Sequence, residues 1–90
     1  MRADRDKVVP LLKTARGQLD GILKMIEDDR YCIDISNQVL ATISLLNKAN
    51  REIIRGHIAG CVQDSFAADA PEEQNAKLDE IMTVLEKMSK

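Results

Sequence analysis

The spacing of apolar residues through the middle of the chain constrains the fold more than any other sequence feature. From residue 35 to residue 61 one stripe recurs at steps of three and four, the spacing of one face of an α-helix. The pattern predicts one long helix from about Cys32 to Ser65, about nine turns in length. An average helix has about 11–12 residues, so this length predicts a coiled-coil-like partner along most of one face. The stripe consists of Ile35, Val39, Ile43, Leu46, Asn50, Ile53, His57 and Cys61.

Two shorter helices are predicted on either side of the long one. The first begins between Lys7 and Pro10, because proline is tolerated in a first turn, and it ends at a polar turn over residues 27–30. The third begins after Asp69, which suits an N-cap position because Pro71 and an acidic residue follow it. No segment has the alternating pattern of a strand. The predicted fold class is therefore all-α, with three helices in the protomer.

The composition favours a helical bundle that other subunits complete. The chain forms a single domain, residues 1–90, and a chain this short buries only a modest core. It has one Phe, one Tyr and no Trp, so aliphatic residues must supply that core. No run approaches the ~18 apolar residues that span a bilayer, and no apolar signal segment follows the charged N-terminus. We therefore expect a cytoplasmic protein with no membrane partner, whose two cysteines are reduced thiols.

Cys32, His57 and Cys61 are the candidate metal ligands. His57 and Cys61 stand four residues apart, so both side chains project from the same helix face. Cys32 lies roughly 37 Å from His57 along one helix at ~1.5 Å per residue, whereas ligands of one metal lie about 2.0–2.3 Å from it. One helix cannot close such a site, but two antiparallel copies can. If residue i faces residue 91 − i, Cys32 of one copy lies beside position 59 of the other.

This ligand set favours Cu(I). Thiolates are soft donors that select Cu(I), zinc or iron–sulfur clusters, and imidazole suits copper, zinc and nickel. Zinc normally takes four ligands and iron–sulfur clusters usually take four cysteines, whereas two sulfurs and one nitrogen complete a trigonal Cu(I) site. Zinc is the second choice and nickel the third. The alternative is structural, because a lone helical cysteine is usually a small buried hydrophobe and a lone histidine is usually a hydrogen-bonded core residue.

Two glycines, Gly56 and Gly60, directly precede His57 and Cys61 in the sequence. Each weakens a helix by up to ~1 kcal/mol relative to alanine. Two interpretations remain open at this point. The glycines either permit close backbone approach around a site, or they merely loosen the end of the helix.

Catalysis is not expected of this chain. A Cys–His pair can supply a nucleophile and a base. However, the sequence has no Ser/His/Asp set and no glycine-rich phosphate loop. The protein is therefore predicted not to be an enzyme.

Basic residues are concentrated in the first two-thirds of the chain, although the net charge is −2. Residues 1–60 carry ten Lys/Arg against eight Asp/Glu, and residues 61–90 carry three against seven. One interpretation is a solvated face with i, i+4 partners, and the other is phosphate contact by a basic surface of an oligomer. The candidate DNA-contacting residues are Lys13, Arg16, Lys48, Arg51 and Arg55.

Three motifs resemble the copper-sensitive operon repressor family, and the resemblance covers essentially the whole chain. They are RGQLDGI at residues 16–22, Tyr31 with Cys32, and the segment from NKANR at residues 47–51 to HIAGC at residues 57–61. In related nickel/cobalt and formaldehyde sensors the last cysteine is replaced, persulfide sensors lack the histidine, and nickel sensors have additional histidines. A chain with two cysteines and one histidine therefore resembles the copper branch.

The resemblance implies an antiparallel dimer containing a four-helix bundle, assembled further as a dimer of dimers. It implies a repressor that binds operator DNA without metal and releases it when Cu(I) binds, so that copper efflux and resistance genes are derepressed. Tyr31 and Glu80 are implied to hydrogen-bond to the ligand histidine. The alternatives are a repressor of the same fold that senses Ni(II) or a thiol-reactive signal, and a copper storage or chaperone bundle without a role on DNA.

Overall fold

Three helices follow one another in the chain, and no strand occurs among the described residues. The computed structural model describes residues 1–68 and 71–88, without the side chains of residues 61, 62, 65–68, 71 and 73. The predicted all-α fold class is confirmed, and the long central helix is continuous beyond its predicted end. The helices are α1 (Arg5–Glu27), α2 (Cys32–Ala68) and α3 (Pro71–Met88).

Helix α1 begins earlier than the predicted start between Lys7 and Pro10. Asp4 has an extended backbone, and its carboxylate accepts a hydrogen bond from the backbone N–H of Asp6 at 2.9 Å. This N-cap satisfies one of the free N–H groups of the first turn, so the helix starts at Arg5. Pro10 consequently lies inside the helix and not in its first turn. The predicted N-cap of α3, Asp69, lies outside the described residues.

The turn between α1 and α2 covers residues 28–31, one residue later than predicted. Asp29 adopts a left-handed conformation with φ of 54°, which reverses the chain. The backbone N–H of Arg30 donates to the carbonyl of Met25 at 3.0 Å and closes the end of α1. The carbonyl of Tyr31 accepts from the N–H of Asp34 at 3.0 Å, so Cys32 is the first residue of α2.

Helices α1 and α2 pack side by side along a seam with a seven-residue period. Val8, Ala15 and Ile22 are buried on α1, and Thr42 and Ala49 are buried on α2. Small side chains at three of these five positions allow the two helices to approach closely. The seam differs from the stripe that the sequence analysis singled out on α2, because no described side chain of that stripe is buried in the protomer.

A hydrogen bond fixes the register of this pair. The Thr42 hydroxyl lies 2.8 Å from Oε1 of Gln18 and 3.1 Å from the backbone carbonyl of Gln38. Ala3, just before α1, lies against Gly56 of α2. Residue 18 is level with residue 42, and residue 3 is level with residue 56. Residue i of α1, or of the residues just before it, therefore lies level with about residue 60 − i of α2.

The protomer is an elongated plate about one helix thick. Its principal extents are 58 × 27 × 12 Å, and a single α-helix with its side chains has a diameter of about 10–12 Å. Helix α3 packs against the C-terminal half of α2, with Ile81 buried between them. None of the described helices is long and apolar enough to cross a membrane. A plate of this kind leaves both broad faces of the α1–α2 pair uncovered.

Candidate metal centre

The first candidate ligand, Cys32, lies at the N-terminus of α2, beside the turn that joins α2 to α1. Its thiol is free and exposed, and the ring of Tyr31 next to it is 68% exposed. Because α2 is uninterrupted from Cys32 to Ala68, His57 lies roughly 37 Å further along the same rod at ~1.5 Å per residue. Cys32 and His57 of one protomer therefore cannot share a metal.

The second and third candidate ligands lie seven or more turns further along α2. His57 is partly exposed, and Cys61 belongs to the helix four residues later, although its side chain is outside the described part of the structure. Among the side chains that the structure describes, no group of three His, Cys, Asp or Glu is close enough to hold a metal within one protomer. The arrangement leaves a Cys32 donor at one end of the protomer and a His57 donor towards the other.

Glu80 of α3 faces His57 of α2. Oε2 of Glu80 lies 3.9 Å from Nε2 of His57 and 3.8 Å from Nζ of Lys77. The first distance is too long for a direct hydrogen bond, and both side chains are about half exposed, so the pair contributes little to stability by itself. Nε2 is the ring nitrogen of His57 that is directed towards Glu80.

Of the two residues implied to hydrogen-bond to the ligand histidine, the structure brings one to it. Glu80 lies beside His57 of its own protomer, whereas Tyr31 lies at the opposite end of the α1–α2 pair. Lys77, which shares the Glu80 carboxylate with His57, is a residue that the sequence analysis missed. The signal for it was its i, i+3 spacing from Glu80 on a helix.

A cavity of about 700 Å³ opens beside His57 and Glu80. Its walls are mostly apolar and come from three parts of the chain: residues 1–3, the middle of α2 and helix α3. Ile53, Ile54 and Ile81 form much of the apolar lining. Residues 1–3 were not among the predicted site residues, although close backbone approach was one of the two interpretations given for Gly56 and Gly60.

The five predicted DNA-contacting residues are all exposed. The register of the helix pair places Lys13 level with about residue 47, next to Lys48. The other basic residues of α2, Arg51 and Arg55, lie towards the end of the pair opposite the α1–α2 turn. Within the described residues none of the five forms an ion pair, so the i, i+4 pairing of a purely solvated face is not observed for them. The residues are Lys13, Arg16, Lys48, Arg51 and Arg55.

The protomer is an all-helical plate whose long helix carries the candidate thiol and imidazole donors. A family model described as metal-sensitive transcriptional repressor matches residues 4–87. The chain therefore belongs to the family of metal-sensitive transcriptional repressors. Members of this family are repressors and not enzymes, as the sequence analysis predicted.

Two relatives illustrate the similarity in sequence. The copper-sensing transcriptional repressor CsoR of Mycobacterium ulcerans is 50% identical over 50 residues, which cover 56% of this chain. That match covers 43% of the relative, so this chain spans less than half its length. The copper-sensing transcriptional repressor CsoR of Bacillus subtilis is 30% identical over 87 residues, covering 97% of this chain and 83% of the relative.

Two solved structures share the fold. The crystal structure of the copper-sensing repressor CsoR with Cu(I) from Geobacillus thermodenitrificans has a TM-score of 0.78 at 31% identity, over 96% of this chain and 86% of that one. The nickel-responsive transcriptional regulator InrS has a TM-score of 0.82 at 25% identity, over 92% of this chain and 93% of that one. The chain is thus similar in fold to both a copper-responsive and a nickel-responsive protein.

Proposed function

We propose that this protein is a Cu(I)-responsive transcriptional repressor whose metal site is shared between two protomers. Cys32 of one protomer and His57 and Cys61 of its partner are the ligands. The observation that carries the proposal is the continuity of α2, which keeps Cys32 and His57 of one chain far apart. In an antiparallel dimer in which residue i faces residue 91 − i, the Cys32 end of one α2 meets the His57 end of the other.

The exposed apolar surface of the protomer supports this dimer. A plate one helix thick cannot cover the apolar residues on both of its faces, and exposed patches of this kind mark interfaces. A second α1–α2 pair packed on one face would complete a four-helix bundle, and a dimer of dimers would use a further surface. The exposed residues on this pair include Leu12, Leu19, Leu23, Ile26, Val39, Leu40, Ile43 and Leu46.

The donor chemistry of the site fits Cu(I). Two thiolates and one imidazole match a soft ion that accepts three ligands, whereas zinc normally requires a fourth. Cu(I), when bound, supplies a single ion that cross-links the thiolates and the imidazole of two protomers. The copper-sensing relatives support this choice. Nickel is the second candidate because the fold is also similar to a nickel-responsive regulator.

The link between the site and the DNA surface runs through α3. When His57 holds the metal, its ring would be fixed in orientation against Glu80, so the position of α3 would depend on the state of the site. The exposed basic residues of α1 and α2 contact the phosphates of operator DNA in the metal-free state. Metal binding then favours an arrangement of the protomers that releases the operator in the cytoplasm. To shift the equilibrium between the DNA-binding state and the released state from 99:1 to 1:99, the metal must bind the released state more tightly by about 5.5 kcal/mol.

An anaerobic titration tests the proposal. Cu(I) is added against a competing chelator to the wild type and to His57→Ala, with labelled operator DNA present. We expect one Cu(I) per protomer, tight binding, and release of DNA that His57→Ala abolishes. Weak binding, or release of DNA that does not depend on His57, would show that the signal is another metal or a thiol-reactive molecule.

A further inference from the structure

The first residues of the chain lie in contact with the part of α2 that carries the candidate ligands. We call residues 1–3 the N-terminal strap. Ala3 is only 6% exposed, although it precedes the first helix. A Cβ placed on Gly56 would overlap the backbone of Ala3, and a Cβ placed on Gly60 would lie 2.6 Å from Cδ of Arg2. Glycine at position 56 is therefore what allows Ala3 to lie directly on the helix backbone, whereas at Gly60 only the flexible side chain of Arg2 would have to move.

The strap is anchored by an ion pair at Arg2 and is followed directly by the N-cap of α1. Arg2 forms an ion pair with Asp64 of α2, and Asp4, just after the strap, is the N-cap of α1. Gly56, Gly60 and Asp64 follow one another at steps of four, so they lie on one face of α2. The two contacts and the ion pair thus form one continuous docking surface along about two turns of helix.

The docked strap also forms one wall of the cavity beside His57 and Glu80. His57 follows Gly56 directly and Cys61 follows Gly60 directly, so the glycines under the strap and the candidate ligands share the same two turns. Any movement of the strap therefore changes both the solvent access to His57 and the packing of the backbone that carries both ligands.

We propose that the N-terminal strap is a positioning element of the sensory site. Docked on Gly56 and Gly60, it holds the α2 turns that carry His57 and Cys61 and closes one side of the cavity, which slows the loss of bound metal. Undocking exposes the site and weakens metal binding. This inference rests on the proposed function, because it assigns a role at the same metal site. It makes Arg2 and Ala3 positioning residues that do not themselves touch the metal.

Two variants should undock the strap, one through a substitution in the strap and the other through a substitution in α2. Ala3→Glu forces a charged side chain into a buried position and leaves α2 unchanged. Gly56→Ala places a methyl group against the backbone of Ala3, which cannot move aside without displacing the strap. The matched control is Gly21→Ala on α1, where an added Cβ meets no atom within 4 Å. Both glycine variants gain the same helix propensity, so only the contact with the strap differs between them.

The first readout measures docking without metal. The folded, metal-free protein is treated with trypsin, and the rate of cleavage after Arg2 is measured by mass spectrometry. Cleavage of a docked segment requires its opening, so we expect Gly56→Ala, in which the sequence around the Arg2–Ala3 bond is unchanged, to be cut about tenfold faster than the wild type. Gly21→Ala should be cut at the wild-type rate. Equal rates in Gly56→Ala and the wild type would overturn the proposal.

The second readout is the rate at which Cu(I) is lost to a chelator. We expect both strap variants to lose Cu(I) about tenfold faster, the size of effect typical for residues that support metal ligands. Gly21→Ala should match the wild type. Wild-type rates in the strap variants, with tight His57-dependent binding in the wild type, would overturn the strap proposal and leave the proposed function intact. Absence of His57-dependent binding in the wild type would overturn both.

Discussion

Nε2 of His57 on α2 and Oε2 of Glu80 on α3 lie 3.9 Å apart, so two ionisable side chains face each other where the ligand helix packs against α3. The distance shortens to a hydrogen bond if either helix shifts by about 1 Å, since such bonds have lengths of about 2.7–3.2 Å. A small rearrangement at His57 would therefore bring its ring within hydrogen-bond distance of Glu80 on α3.

Replacing Glu80 with Gln should separate metal binding from DNA release. The amide keeps the shape of the side chain but removes the charge that faces His57. Cu(I) affinity should fall by about tenfold or less, whereas the Cu(I)-induced decrease in operator affinity should shrink by more than that. Both quantities are measured by chelator competition and fluorescence anisotropy. Glu86→Gln, on the exposed surface of α3, is the control, and unchanged coupling in Glu80→Gln would contradict the proposed route.

Mixing two inactive variants should restore part of the copper binding. Homodimers of Cys32→Ser and of His57→Ala each lack one ligand at every site. In an antiparallel mixed dimer, one of the two sites takes Cys32 from one chain and His57 with Cys61 from the other, and is complete. Random mixing in equal amounts makes half of the dimers mixed, so roughly a quarter of wild-type Cu(I) binding should return.

The mixture is prepared by unfolding and refolding the two variants together under reducing conditions, and bound Cu(I) is measured against a chelator. The separately refolded variants are the control. If copper binding did not return in the mixture, the ligands would not be shared between protomers in this way.

Replacing Arg51 with a neutral residue should weaken operator binding, because the charge that is proposed to pair with a DNA phosphate is removed. Arg51→Gln is expected to lower affinity similarly for operator and unrelated DNA, and to reduce the slope of log K against log salt by about 1 for each phosphate that is no longer neutralised. Lys87→Gln, in the last turn of α3, is the control, because it lies outside the basic surface. An unchanged slope in Arg51→Gln would remove this residue from the DNA interface.

Replacing Thr42 with Val should destabilise the helix pair. Valine has nearly the same shape but has no hydroxyl to reach Oε1 of Gln18, so a partly buried acceptor is left without its donor. The free energy of unfolding should fall by about 1 kcal/mol or somewhat more. Urea denaturation at fixed protein concentration measures it.

Thr14→Val is the matched control, since the Thr14 hydroxyl bonds only locally, to the carbonyl of Pro10 at 2.9 Å on an exposed surface. This substitution should change stability by less than Thr42→Val. Equal effects of the two substitutions would mean that the hydrogen bond between Gln18 and Thr42 does not hold the register.

The long central helix and the helix count were predictable because they depend on local chemistry. Apolar side chains at steps of three and four favour helix whatever they later pack against. The start of α1 was predicted too late because Asp4 was not considered as an N-cap, although its residue type suits that role. The α2 side of the seam was not predicted either, because it is formed by the small residues Thr42 and Ala49, which contribute little to a hydrophobic pattern.

The sequence by itself determined the all-helical fold, the thiol and imidazole groups of the candidate ligands, and the spacing that keeps Cys32 far from His57 on one helix. These features follow from residue identity and from the fixed rise of the helix. Only the tertiary structure decided that Glu80 faces His57, that Lys77 shares its carboxylate, and that residues 1–3 lie on Gly56 and Gly60. Those contacts join segments far apart in the chain, and their geometry depends on how the helices pack, which no local pattern specifies.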